Sequence, residues 1–146
     1  MSMMNYGKDT DELLAELKAT SDVENYLNSN QNEFAVPLHE YLQNLLDEKH
    51  LNKSEIIKQS GLNREYAYHI IEGNRKNPSR PKVLAIGVAM GLNLDEMQYL
   101  LKYAKQNPLY PRDPWDSVII FAIEQRLNVL ETNELLDQAG ETLLLE

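Results

Sequence analysis

The chain has 146 residues, of which 42% are hydrophobic and 25% charged, a composition typical of one soluble globular domain. It contains no cysteine, which excludes disulfides, thiolate metal sites and thiol catalysis. The longest markedly apolar run, residues 118–123, is far shorter than a membrane span, and the N-terminus lacks a signal-peptide pattern. We therefore expect a cytoplasmic protein without a membrane-spanning segment.

The net charge of −9 is distributed unevenly along the chain. Residues 1–35 carry a net charge of −5 and residues 107–146 a net charge of −6, whereas residues 36–106 carry +2. A polyanion would therefore bind the middle of the chain rather than either end.

Helical periodicity and helix caps recur along the sequence while strand signals are weak, which predicts an all-α fold. Helices are expected over about 10–19, 21–28, 36–50, 53–60, 64–72, 80–90, 95–106, 114–125 and 129–139. Capping boxes, in which a cap residue precedes Glu by three positions, mark four helix starts. They are Ser21–Glu24, Asn52–Glu55, Asn93–Glu96 and Asn128–Glu131.

The same pattern predicts three segments. Residues 1–35 form an acidic N-terminal helical segment whose polar stretch 28–33 is a linker. Residues 36–106 form the central domain. Residues 107–146 begin with a proline-rich connector and continue as a helical hairpin packed on the same domain.

The C-terminal hairpin resembles an earlier part of the chain at a fixed offset of 35 residues. The segments "VLAIGVAMGLNLDEMQYLLKYA" (83–104) and "VIIFAIEQRLNVLETNELLDQA" (118–139) share Leu-Asn, Glu and Leu-Leu-x-x-Ala in register. This match predicts a duplicated helical hairpin whose second copy extends the core of the first.

The middle of the chain resembles the phage-repressor-like Cro/cI (XRE) helix-turn-helix family over about residues 36–106. The resemblance is carried by "LNKSEIIKQSGLNREYAYHIIEGNRKNPSRPKVLAIGVAMGLNLDEM", residues 51–97. It implies a lambda-repressor-like helix-turn-helix bundle of about five helices, with residues 64–72 entering the major groove of double-stranded DNA.

The resemblance also implies roles for individual residues. Base contacts would come from Arg64, Glu65, Tyr68 and His69. Phosphate contacts would come from Lys53, Asn74, Arg75 and Lys76. Arg80 and Lys82 extend this basic cluster beyond the predicted recognition helix.

Two positions depart from the family pattern. Glu65 stands where a neutral polar residue is common; it could accept from a cytosine amino group, but the simpler interpretation is a favourable first-turn interaction with the helix dipole. Ile57 and Ala67 exchange the small and large residues usual at two facing positions, which predicts that the two side chains are in contact.

The sequence offers no specific support for an enzyme or for a bound cofactor. His39, His50 and His69 lack metal-ligand spacing, and no phosphate-binding loop or hydrolase motif occurs. We therefore expect neither a catalytic site nor a metal.

The sequence is compatible with two functions. The first is a sequence-specific transcriptional regulator that binds duplex DNA, with a homodimer as a further expectation. The second is a protein-interaction or signalling adaptor on a helix-turn-helix scaffold, with a protein partner at the C-terminal hairpin. A mixed hypothesis places the acidic residues 1–35 over the DNA-binding face as an autoinhibitor.

Overall fold

A computed structural model describes residues 8–31, 34, 36–75 and 77–145. Across these residues the secondary structure is entirely helical, so the predicted all-α fold is confirmed. The helices are α1 Thr10–Ala19, α2 Val23–Ser29, α3 Leu38–Glu48, α4 Lys53–Ser60, α5 Arg64–Glu72, α6 Arg80–Ala89, α7 Leu94–Tyr103, α8 Pro114–Glu124 and α9 Val129–Gln138. Within the described ranges, none of them has both the length and the apolar character that crossing a membrane requires.

The core is built around α6. Residues 83–88 of this helix are all buried, which requires neighbours on every side. Helices α4, α7 and α9 pack directly on it, while α3 packs on α5 and α7. The stacked rings of Tyr41 and Tyr103, with centroids 4.1 Å apart, join α3 to α7. This arrangement leaves the outer side of α5 free.

Two of the four predicted capping boxes form completely. Asn93 and Asn128 each accept a hydrogen bond from the backbone N–H three residues on, and Glu96 and Glu131 accept from the backbone N–H of the respective cap residue. Asn52 also caps α4 through the backbone N–H of Glu55. The Glu55 carboxylate does not return to it and accepts from the amide of Gln59 instead, so this box is only half formed.

The fourth box is wrong. Asp22, not Ser21, is the N-cap of α2, and its carboxylate accepts from the backbone N–H of Asn25. The Thr20 hydroxyl accepts from the backbone N–H of Asp22 and so fixes the helix start one residue later. The predicted linker 28–33 also begins too early, because residues 28 and 29 belong to α2 and Asn30 is buried.

The duplicated hairpin is present in the backbone. The first helices of the two hairpins end 35 residues apart, and the second helices begin and end with the same offset. Gly91 and Arg126 both follow these first helices with left-handed φ values of 69° and 59°. Lys105 and Gly140 do the same after the second helices, with φ values of 58° and 75°. The segments therefore share local geometry as well as sequence.

The two hairpins form a ring of four helices. α6 contacts α7, α7 contacts α8, α8 contacts α9, and α9 contacts α6, as in an up-down four-helix bundle. The guanidinium of Arg126 donates to the carbonyl of Gly91 at 3.4 Å and joins the two hairpin loops. The C-terminal hairpin therefore extends the core of the central domain.

The apolar tail after α9 packs on its own chain. The Trp115 indole donates to the carbonyl of Thr142 at 2.8 Å, and Asn133 bonds both Leu144 and Leu145. Leu144 is buried in the core. The tail thus fastens α8 to α9 and reaches α4, as described below.

An ion pair between the half-buried Arg80 and the buried Asp116 fixes the proline-rich connector. Arg80, the first residue of α6, donates from both terminal nitrogens to the Asp116 carboxylate at 2.8 and 2.9 Å. It also donates to the carbonyls of Asn107 and Pro108 at 3.0 Å. Asp116 accepts in addition from the backbone N–H of Tyr110. One guanidinium thus joins the start of α6 to two connector carbonyls and to α8.

The N-terminal helices α1 and α2 contribute no buried residue and pack chiefly on each other. In the described part of the chain, neither packs extensively on α4 or α5. The autoinhibition hypothesis therefore gains no support from these helices.

We predict that Arg80→Ala lowers the free energy of unfolding by about 3–5 kcal/mol, because it leaves the Asp116 carboxylate buried without its partner. Arg112→Ala is the matched control, since it removes an exposed arginine of the same connector. Denaturant unfolding measures both. The double variant Arg80→Met/Asp116→Leu should lose less than Arg80→Ala alone; an equal or larger loss would argue against the buried-charge explanation.

A second prediction concerns Ile57 and Ala67, which are both buried in the one core on helices that pack together. Ile57→Ala should cost about 2–5 kcal/mol and Ala67→Ile about 1–3 kcal/mol of unfolding free energy. If the side chains touch, the double variant Ile57→Ala/Ala67→Ile should lose less than the sum of the two. Additive losses would show that they do not interact.

Candidate nucleic-acid interface

A tight turn sets α5 against α4. Gly61 ends α4 with a left-handed φ of 75°, and Asn63 caps α5 by accepting from the backbone N–H of Tyr66. The buried Ser60 hydroxyl donates to the carbonyl of Ile57 and accepts from the backbone N–H of Leu62. These bonds satisfy the polar groups of the turn and fix the direction in which α5 leaves it.

The C-terminal tail and α9 contact one side of this turn, although Gly61 itself is exposed. A Cβ added to Gly61 would lie 3.2 Å from Leu145 and 3.8 Å from Val129. Residue 61 therefore needs glycine for its left-handed backbone and has little room for a side chain. The C-terminal hairpin thus supports the element that positions α5.

The outward side of α5 presents the four residues expected to read bases. Arg64, Glu65 and His69 are exposed, and Tyr68 is half-buried. The imidazole of His69 makes no hydrogen bond or ion pair with another described residue. Glu65 lies in the first turn of the helix, the position where a carboxylate favours the helix dipole.

Three of the predicted residues form one cluster. The Tyr68 hydroxyl lies 3.2 Å from the Ser54 hydroxyl, which links α5 to α4. The Arg64 guanidinium and the Lys53 ammonium each lie 5.7 Å from the centre of the Tyr68 ring. The cluster therefore combines two cations, a hydroxyl pair and an aromatic face at the junction of the two helices.

The neighbouring side chains in this cluster make the Tyr68 hydroxyl more acidic. The hydrogen bond with Ser54 lowers the pKa of Tyr68 below its ordinary value of 10.0, and Arg64 lowers this pKa further by hydrogen bonding and by its positive charge. Both neighbours favour the negatively charged phenolate oxygen over the neutral hydroxyl.

Glu72 offsets one of these cations. Its carboxylate forms an ion pair and a hydrogen bond with Lys53, across the gap between the end of α5 and the start of α4. The surface at the junction of α4 and α5 therefore alternates in charge: Arg64 is positive, Glu65 is negative, and Lys53 of α4 is paired with Glu72.

The loop after α5 holds the remaining expected phosphate contacts. Asn74 and Arg75 are exposed, and both backbone N–H groups donate to the carbonyl of His69. Lys76 lies outside the described residues. The loop begins at Gly73, with a φ of 86°, where an added Cβ would lie 2.7 Å from the His39 ring.

A second cationic cluster surrounds Tyr66. The guanidinium of Arg75 lies 4.7 Å from the Tyr66 ring centre and the ammonium of Lys82 lies 4.2 Å from it. Tyr66 is half-buried against the core, so the ring holds both cations at the exit of α5.

Arg80 does not belong to this basic cluster, contrary to the sequence-based expectation. Its donors are occupied by Asp116 and by two backbone carbonyls, as described above. Since its charge is neutralised at the connector, Arg80 is unsuited to binding phosphate.

Sequence reasoning missed two members of the interface. Ser54 directly follows the expected phosphate contact Lys53, and its contact with Tyr68 depends on α4 and α5 packing together. Tyr66 was overlooked because it lies one residue from the buried Ala67; its ring nevertheless bridges to cations that are 9 and 16 positions away.

Comparisons with known proteins return nothing to set beside this geometry. No protein-family model matches the chain, and no curated protein or solved structure matches it.

We predict that Ser54→Ala raises the pKa of Tyr68 toward 10.0, and that Arg64→Ala raises it as well, because both variants remove groups that favour the phenolate. Carbon-13 NMR of ring-labelled tyrosine measures this titration, with Tyr68→Phe assigning the signal. Ser117→Ala, a serine of α8, is the control. Since the folded-state pKa is the lower one, the associated stability is fully present above the ordinary pKa and is lost as pH falls through the folded-state pKa. An unchanged Tyr68 pKa in both variants would contradict the interactions of Tyr68 with Ser54 and Arg64.

Proposed function

We propose that the protein is a sequence-specific regulator of transcription that binds double-stranded DNA through α5. The observation that carries the proposal is the exposed start of α5, where Arg64 and Tyr68 project beyond a fixed turn while the opposite side of the helix packs in the core. The resemblance of residues 51–97 to the Cro/cI family supports the same assignment.

Base reading would begin at the N-terminal end of α5. Arg64 has the geometry to donate two hydrogen bonds to guanine in the major groove. His69, exposed one turn further along, can donate to or accept from a base edge. Tyr68 would bond a phosphate or a base edge through its hydroxyl while Ser54 orients it.

Phosphate binding would flank this helix on two sides. Arg75 and Lys82 are held on the Tyr66 ring at one side, and Lys53 lies at the N-terminus of α4 on the other. Contacts of this kind set affinity and register rather than sequence preference. Lys53 would exchange its Glu72 partner for a phosphate oxygen on binding.

The acidic residues of α5 would sharpen selectivity at the expense of affinity. Glu65 and Glu72 repel nearby phosphates, so only a DNA site that offers good partners to Arg64 and His69 would compensate. Glu65 is also placed to accept from a cytosine amino group. Homodimeric binding to two half-sites is part of the proposal.

The protein-interaction adaptor is the second candidate. Pairing of Lys53 with Glu72 and of Arg80 with Asp116 breaks the positive strip that strong DNA binding would favour. The added hairpin α8–α9 supplies a surface that DNA binding through α5 does not use.

The DNA proposal predicts that selection from a random duplex library yields a consensus that the protein binds in a salt-dependent manner. On that site, Arg64→Ala should lose about 1–3 kcal/mol of discrimination at one base pair, roughly 5- to 150-fold. Arg75→Ala should weaken binding to all sequences alike and reduce the salt slope by about 1. Fluorescence anisotropy measures both effects.

Arg112→Ala is the matched control, because it removes the same charge from the connector, away from α5. Its binding should equal that of the unaltered protein. No binding even at low salt, or equal losses for all three variants, would favour the adaptor.

A further inference from the structure

The two helical hairpins differ in how their outer sides are covered. On α6–α7, the side chains of Val83, Ile86 and Leu100 line one small cavity together with Leu38 and Leu42 of α3 and Ile70 of α5. All three hairpin residues are buried, and Ile86 is only 2% exposed. Helix α3, which packs on α7, thus covers the apolar outer side of the first hairpin together with Ile70 of α5.

The second hairpin carries apolar residues at the equivalent positions but has no such cover. The residues 35 positions later are Val118, Phe121 and Leu135. Val118 and Leu135 are half-buried and Phe121 is 53% exposed. No described helix other than α6 and α7 packs extensively on α8 or α9, and these two cover the inner side.

An ion pair of the first hairpin is also missing from the second. Glu96 caps Asn93 with one carboxylate oxygen, while the other lies 2.9 Å from the ammonium of Lys49, at the C-terminal end of α3. Glu131 caps Asn128 in the same way. In the described part of the chain, however, no cation pairs with it.

The charge around this side indicates which partner fits. The exposed carboxylates of α8–α9 are Glu124, Glu131, Glu134 and Asp137, and none forms an ion pair with another described residue. A second copy that presented the same side would place carboxylates against carboxylates, which is unfavourable. Helices α1 and α2 are also rich in acidic residues and would meet the same repulsion.

We propose that the outer hairpin face, defined by Val118, Phe121, Glu131 and Leu135, binds a basic amphipathic helix of another protein. The helix would lie on α8–α9 as α3 lies on α6–α7. Its apolar stripe would cover Phe121, and a lysine or arginine near its C-terminal end would pair with Glu131. Binding of this type is a helix-in-groove interaction.

The proposal is tested with a fluorescent peptide derived from α3. The peptide comprises residues 36–50 with Glu40→Lys, Asp47→Lys and Glu48→Lys; all three positions are exposed on α3, so the leucine stripe is retained. The full-length protein should bind it one to one. The peptide with the unaltered acidic sequence should bind at least about tenfold more weakly, because it lacks the complementary charge.

Substitutions in the protein locate the binding site. Phe121→Asp should lower the affinity for the basic peptide at least about tenfold, the usual effect of removing an aromatic anchor. Tyr110→Asp is the matched control, since it places the same charge at another exposed aromatic position. Glu131→Lys in the protein should weaken binding of the basic peptide. Combining it with Lys49→Glu in the peptide should restore the affinity. Neither change alone should give the affinity of the unaltered pair.

Three outcomes would overturn the proposal. They are failure of the basic peptide to bind, equal binding by Phe121→Asp and the unaltered protein, and a sedimenting dimer that Phe121→Asp dissociates. The last outcome would assign the face to a second copy of the chain. No DNA enters the experiment, so its failure leaves the DNA proposal untouched.

Discussion

The bidentate ion pair between Arg80 and Asp116 determines how the two halves of the molecule meet. It joins the first residue of α6 to α8 and gathers the connector carbonyls on one guanidinium. With α8 fixed, α9 completes the ring of four helices and the tail reaches the turn at Gly61. The position of α5 and the exposure of Phe121 both depend on this arrangement.

The basic residues of the central segment divide into two groups by their partners. Arg80 and Lys49 neutralise carboxylates and hold helices together, so their charge is not available to a polyanion. Arg75 and Lys82 instead lie over an aromatic ring, which leaves their charge uncompensated. The available positive charge of the central segment, whose net charge is +2, therefore lies in localised patches beside α5 rather than over a uniform basic surface.

Much of the fold was predictable because the helix ends are encoded locally. The predicted bounds of α4 and α5 agree with the structure, since their caps lie within three residues of each helix start and their terminal glycines adopt the left-handed conformation. The predicted start of α2 was wrong because Asp22, whose backbone N–H donates to the Thr20 hydroxyl, caps the helix in place of Ser21. The candidate site was less predictable: pairing of Lys53 with Glu72 spans 19 positions and requires the two helices to be in place.

The sequence by itself determined the helices, their caps, the 35-residue repeat and the exposed residue types of α5, because these depend on neighbours within one or two turns. Only the tertiary structure decided which cations remain available, that the tail supports Gly61, and that one copy of the repeat is covered while the other is not. Ile86 and Phe121 occupy equivalent positions in nearly identical local geometry. Their burial differs because α3 and α4 pack extensively on the first hairpin only, and packing between distant segments cannot be predicted from local sequence.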